Sequence, residues 1–156
     1  MKQYERIIFV DADDTSRAPM AKAILQKKTL PWPMEIISRG LVVLFPQPVN
    51  QKVEAVLVRN GCTAKDHVTV PLSDEDINEK TLILTMEESQ RIRILEQYQQ
   101  VPHLATIAGY LRINGDIPAL YGEPLPEYGK CYEVLDALIT MLIKQLAEEA
   151  KEENEK

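Results

Sequence analysis

The sequence predicts an α/β fold of three layers, a four-stranded parallel sheet with helices on both faces. Ile7, Ile8, Phe9 and Val10 form an unbroken apolar run, the pattern of a strand covered on both sides rather than the alternation of a half-solvated one. Strand-like and helix-like stretches then alternate along the chain, which favours parallel strands joined by crossover helices. The first strand passes through a short polar loop straight into Arg17-Ala18-Pro19-Met20-Ala21, where proline suits a first helical turn and the other residues favour helix.

The elements follow in order. After the strand Ile7 to Val10 comes a helix over Pro19 to Lys27, then a strand over Glu35 to Ser38. A helix over Gln51 to Asn60 ends at Asn60-Gly61, a common helix stop. Leu82 to Thr85 is the next strand, followed by helical segments near Ser89 to Gln97 and Glu127 to Ala150. A further short strand falls at Thr69-Val70 or within His103 to Ile107. In the last helix Tyr128, Cys131, Leu135, Leu138 and Leu142 recur at steps of three and four, a stripe that faces the core.

Composition bounds the function. The 156 residues, 45% hydrophobic, suffice for one domain across 1–156 with a full core. The charged segment Ala147 to Lys156 reads as a solvated, fraying helix end. A net charge of −6 argues against nucleic acid, which demands a basic face. The apolar runs are strand-sized, so no membrane span is expected. With two cysteines and no recognisable secretory leader, free thiols and a cytoplasmic location are expected.

The loop after the first strand carries the chemistry. Asp11 lies at the carboxyl end of a parallel strand, where open α/β sheets bind ligands, and the next helix points its free N–H groups at the same place. Three aspartates, Asp11, Asp13 and Asp14, occupy the loop with Arg17 at its end.

This layout resembles the low-molecular-weight protein tyrosine phosphatases, whose pattern is Cys-x-Gly-Asn-x-Cys-Arg-Ser-Pro after the first strand. In that frame Asp11 stands at the nucleophilic cysteine, Asp13 at the glycine, Asp14 at the asparagine, Ser16 at the second cysteine and Ala18 at the serine; Arg17 and Pro19 match. The resemblance extends through Ile36-Ile37-Ser38-Arg39-Gly40, Leu72 to Asp76 and Thr81 to Ser89. It ends at Gly115 to Gly122, where Ala119 and Leu120 replace the Asp-Pro of the family's Asp-Pro-Tyr and Tyr121 keeps its tyrosine at the pocket rim. The implied fold is that family's.

The resemblance implies a reaction in which a thiolate attacks phosphorus, backbone N–H groups and the arginine hold the phosphoryl oxygens, and an aspartate protonates the leaving group. No catalytic residue is intact here, because Asp11 holds the nucleophile's position and Ala119 the general acid's. The degenerate phosphate loop is Asp11, Ala12, Asp13, Asp14, Thr15, Ser16, Arg17 and Ala18. At an effective dielectric of about 20 and a separation of about 5 Å, each like-charge pair with a bound phosphate costs about 3 kcal/mol. The expected state is therefore a self-filled cradle, with the Asp11 carboxylate in the anion's place and paired with Arg17. The function implied is that of a phosphatase-like binding or regulatory module, a pseudophosphatase, with an unknown protein partner and no cofactor.

Asp11, Asp13 and Thr15 also resemble the Asp-x-Asp-x-Thr motif of the haloacid dehalogenase superfamily, a magnesium-dependent phosphohydrolase reading with Asp11 as nucleophile. Thr85 and Asp116 would supply its later motifs, but Leu120 stands where a second acidic residue belongs. Residual phosphatase activity through a water assisted by Arg17 is a third reading. Elsewhere no metal site is expected: His67 and His103 read as surface residues, and Asp13 and Asp14 as a solvated turn. Cys62 and Cys131 read as inert thiols. Trp32 reads equally as a partner anchor or as a packed aromatic.

Overall fold

The apolar run that opens the chain becomes the inner strand of the sheet. In the computed structural model, which describes residues 3–154, β1 spans Arg6–Asp11 and lies between β2 (Glu35–Gly40) and β3 (Thr81–Thr85). A short β4 (Leu104–Thr106) flanks β3, and the order β2-β1-β3-β4 is parallel throughout. The fold class is as the sequence predicts, and the weak fourth strand falls in the 103–107 region rather than at Thr69-Val70. There, Pro71 has no N–H to extend a ladder, and it makes only an isolated bridge to Gly40.

Side-chain alternation along β1 divides the core. Ile7 and Phe9 pack with α1 (Arg17–Lys27), α2 (Gln51–Arg59), α4 (Ile107–Tyr110) and α5 (Leu125–Asn154). Ile8 and Val10 face the opposite layer with Ile83, Leu72 and Ile94 of α3 (Glu88–Gln97). All four β1 side chains are fully buried, which explains why no polar residue interrupts the run. Of the predicted stripe on α5, Tyr128, Cys131, Leu135 and Leu142 are buried and Leu138 is half-buried.

Several boundaries shift. β2 runs two residues past Ser38, because Gly40 still pairs with Asp11. α1 begins at Arg17 rather than Pro19. The charged end stays helical, with α5 continuing to Asn154; Ala147, Glu148, Glu149, Lys151 and Glu152 are exposed, while Ala150 is buried and Glu149 accepts a hydrogen bond from the Tyr110 hydroxyl. Residues 155–156 of that predicted tail lie outside the described residues. No helix is long and apolar enough to cross a membrane among the described residues.

The topology fixes where a site can form. From β1 the chain moves outward to β2 and then returns past β1 to β3, so the carboxyl ends of β1 and β3 flank the crevice where the strand order reverses. Asp11 closes β1 there. β2 must carry glycine at its end, since a Cβ on Gly40 would lie 2.6 Å from the Asp13 carbonyl carbon and 2.8 Å from the Asp14 nitrogen.

Candidate active site

The loop from Asp11 to Arg17 wraps around the Asp11 carboxylate. Asp14 N–H donates to Asp11 Oδ1 at 2.6 Å, and Ala18 N–H, in the first turn of α1, donates to Oδ2 at 2.9 Å. These are the kind of converging amides that hold an anion at a helix start, and here the anion belongs to the chain. Asp11 is 2% exposed. Burial pushes its carboxyl up from the ordinary range, while the two N–H bonds and the nearby Arg17 charge pull it down.

Arg17 corrects one expectation. Its guanidinium does not pair with Asp11, Asp13 or Asp14; Nη1 lies 2.6 Å from Glu87 Oε2 in an ion pair and donates to the Ile117 carbonyl at 2.6 Å. The reason is local. Both Asp11 oxygens are already taken by backbone donors, whereas Glu87, at the start of α3, brings a carboxylate across the switch-point crevice. Arg17 therefore acts on Asp11 through the field alone.

Asp14 corrects a second expectation, since it is no solvated turn residue. It is fully buried and takes a left-handed φ of 64°, a conformation that Asp and Asn tolerate better than most side chains. Its Oδ2 accepts from Val70 N–H at 3.1 Å, and the His67 ring lies 3.5 Å away. His67 is likewise buried rather than on the surface. Lys22 donates to its Nδ1 at 2.9 Å, which leaves the proton on Nε2 to donate to the Asp14 carbonyl at 2.7 Å. Burial lowers the pKa of both Lys22 and His67. Asp14 Oδ1 and the Ser38 hydroxyl are both buried with no hydrogen-bond partner among the described residues. Burial raises the Asp14 carboxyl to about 7, offset in part by Ser38 and by Val70 N–H.

A proton held on buried Asp14 makes stability depend on pH. Between about pH 4, the ordinary carboxyl range, and the raised value near 7, the folded chain holds the Asp14 proton and the unfolded chain has lost it. Stability therefore falls as pH rises through this window, by a few kcal/mol at most, because a tenfold change in proton affinity corresponds to about 1.4 kcal/mol. The lowered His67 acts in the opposite direction below its ordinary pKa, and Asp11 in the same direction, but both are common to the wild type and an Asp14→Asn variant. The expected result is that Asp14→Asn gains stability over the wild type progressively between about pH 4 and about pH 7, as read from urea midpoints.

The remaining predicted residues sort cleanly. Asp13 is exposed, and its Oδ1 accepts from the Thr15 hydroxyl at 2.6 Å and from Thr15 N–H at 3.2 Å. Ala12, Thr15 and Ser16 line a cavity of about 240 Å³ with Asp11, Asp13 and Arg17. Ala119 and Tyr121 stand across that cavity, Ala119 exposed and Tyr121 99% exposed. Ile117 and Leu120 are buried on either side of Ala119, and Tyr128 donates to the Leu120 carbonyl at 3.0 Å, so packing holds the segment in place. Lys52, which the sequence did not single out, also lines the cavity and donates to the Glu123 carbonyl at 2.7 Å. Glu87 was missed for the same reason, its pairing with Arg17 being set by the topology and by no local spacing.

Nothing else gathers here as a nucleophile or metal centre. Cys131 is buried and its thiol is pushed up to about 11 by that burial; Cys62 is half-buried. Thr85 donates to the Glu87 carbonyl, and Asp116 accepts from Glu88 N–H at the start of α3, so both later motifs of the magnesium reading are engaged in holding α3. His103 is half-buried, edge-on to Tyr4. No cluster of three or more His, Cys, Asp or Glu is placed to hold a metal among the described residues. Trp32 is a packed aromatic with a partner, its Nε1 donating to the Tyr4 carbonyl at 2.7 Å.

A loop of amides closed on an anion after β1, followed by an arginine at the head of α1, defines the class of a phosphate-loop protein on a parallel sheet. The family model described as low molecular weight phosphotyrosine protein phosphatase matches residues 6–152, and the chain belongs to that family. It is 30% identical over 146 residues to the protein-arginine-phosphatase of Geobacillus stearothermophilus, covering 92% of this chain and 97% of that protein. It is 29% identical over 138 residues to the low molecular weight protein-tyrosine-phosphatase PtpB of Staphylococcus haemolyticus, covering 88% and 96%. Among solved structures, the YwlE arginine phosphatase of Geobacillus stearothermophilus superposes with a TM-score of 0.88 at 29% identity, covering 95% of this chain and 96% of that one. A low molecular weight protein tyrosine phosphatase from T. tengcongensis gives 0.84 at 31% identity, covering 90% and 98%. The family is cofactor-independent.

Proposed function

We propose that this chain is a non-hydrolytic member of its family, a pseudophosphatase that serves as a cytoplasmic binding or regulatory module. The observation that carries the reading is the Asp11 carboxylate seated between Asp14 N–H and Ala18 N–H, where the family's reaction would require a free anion seat beside a thiolate. Ala119 supplies no proton for a leaving group. The relatives named above act on phosphoarginine or phosphotyrosine by their names, and that ligand class is blocked here by the chain's own carboxylate.

A protein partner fits the rim. Val42 N–H donates to the Ala12 carbonyl at 2.9 Å, so the segment after β2 lies against the loop. It exposes Leu44 and Phe45, at 86% and 60%, and Tyr121 of the cavity lining is exposed as well. Such exposed apolar side chains on the loop's side of the molecule favour a protein surface over a free anion.

The second reading, phosphoryl transfer to Asp11 with magnesium, draws on one solved relative: a YwlE arginine phosphatase form at 25% identity is described with a phosphorylated active site serine. Against it, each Asp11 oxygen already accepts an amide N–H. Hydrolysis of p-nitrophenyl phosphate, measured with and without magnesium, separates the readings. The expected result is background rate in both conditions; turnover that needs magnesium favours phosphoryl transfer to Asp11, and metal-independent turnover favours residual phosphatase chemistry.

A further inference from the structure

Far from the loop, beside the amino-terminal ends of β1 and β2, a second cavity of about 280 Å³ opens between Tyr4, Trp32, Tyr110 and the last turns of α5. Glu149, Glu152 and Glu153 form its polar wall, and Leu146 lies at its base. The volume sits at or just below the low end for small-molecule sites, so it suits one large side chain rather than a cofactor.

The aromatic walls are held in place. Trp32 is fixed through its Nε1 bond to the Tyr4 carbonyl, and Tyr4, itself buried, packs edge-on against His103 with ring centroids 5.1 Å apart. Tyr110 donates its hydroxyl to Glu149, and its carbonyl accepts from Gln145 Nε2 at 2.7 Å. Burial raises both phenols above their ordinary range, so the cavity's charge comes from the glutamates. None of the three glutamates is in a salt bridge among the described residues. Lys151, in the same last turn, is the one basic residue there among the described residues, and it is exposed.

Aromatic side chains, three carboxylates and the negative end of a 30-residue helix thus line one cavity, a combination that favours a cation. We propose that this cage binds a guanidinium group, presented as an arginine side chain of a partner protein. A guanidinium stacks its plane on an indole and directs five N–H donors in its own plane, which a wall of carboxylates can accept. An ammonium is more strongly hydrated and has no plane to stack. The proposal stands apart from the reading of the phosphate loop, because no residue is shared between the two cavities.

Trp32 is the single tryptophan of the chain, so its fluorescence reports on the cage directly. The test titrates the full chain with N-acetyl-arginine amide and, separately, N-acetyl-lysine amide. The expected result is a saturable change with a dissociation constant in the millimolar range for the arginine probe, several-fold weaker for lysine. A triple variant, Glu149→Gln, Glu152→Gln and Glu153→Gln, is expected to bind at least about tenfold more weakly with unchanged circular dichroism, as the loss of two or three charge-assisted contacts implies. Tyr110→Leu, which removes a ring while leaving the carboxylates, is expected to weaken binding as well. Linear quenching that never saturates, equal response in wild type and triple variant, or lysine binding as tightly as arginine would each overturn the proposal.

Discussion

Replacing Asp11 by cysteine alone leaves the protein nearly inactive on aryl phosphates, in the expected outcome of a restoration series. The single change vacates the seat between Asp14 N–H and Ala18 N–H and installs a nucleophile, but it leaves Asp13 and Asp14 beside an incoming dianion. Asp14 is fully buried, so its repulsion is little screened once it ionises; exposed Asp13 contributes less. Adding Asp13→Gly and Asp14→Asn is expected to restore phosphate binding first, since the three changes remove three carboxylates around the loop. The left-handed position is Asp14, with φ 64°, not Asp13, so asparagine at 14 supplies the tolerated geometry while glycine at 13 mainly removes charge. Ala119→Asp is then expected to raise turnover by about a hundredfold or more, the usual scale of a positioned general acid. Because Ile117 and Leu120 anchor the segment on both sides of Ala119, the new carboxyl enters a held loop. The series is read by phosphate affinity and by p-nitrophenyl phosphate turnover at each step, and strong activity from Asp11→Cys alone would contradict it.

The second large effect concerns the pair between Arg17 and Glu87, whose side chains are 5% and 28% exposed. Removing one member of a buried pair leaves the other charged and poorly solvated. The two members are not equivalent. Glu87 can turn its freed carboxylate toward water, whereas Arg17 would keep only the Ile117 carbonyl. Glu87→Gln, which retains an amide in place of the carboxylate near Gln90, is expected to cost about 2–4 kcal/mol, and Arg17→Met about 1–2 kcal/mol. Urea unfolding with unchanged m values checks both. Equal or reversed costs would mean that Arg17 finds another partner, Asp11 foremost.

What could be read in advance depended on the range of the interaction. Ile7 to Val10 announced a buried strand because burial on both faces leaves no place for a polar residue, and the α5 stripe announced a core face because helical spacing is local. The loop sequence also showed that Asp11 could fill its own anion seat, since its amides lie within seven residues. Pairings across the topology were not legible. Arg17 meets Glu87 seventy positions away only because β3 returns beside β1. Asp14 looked solvated because acidic loop residues usually are; its burial depends on Val70, His67 and Ser38, brought over by two other segments. The same holds for the cage of Tyr4, Trp32 and Tyr110, three separate segments that meet the glutamates of α5 only in the folded chain.

The central claim is that the Asp11 carboxylate is the resident anion of the phosphate loop. A crystal structure of the wild-type chain grown in excess inorganic phosphate at about pH 8, beside one of Asp11→Ala under the same conditions, tests it most directly, since the pH is then well above the ordinary carboxyl range. The account predicts Asp11 Oδ1 and Oδ2 on Asp14 N–H and Ala18 N–H in the wild type with no phosphate in the loop, and phosphate on those same amides in Asp11→Ala. Phosphate seated in the wild-type loop with the Asp11 side chain turned away would contradict it.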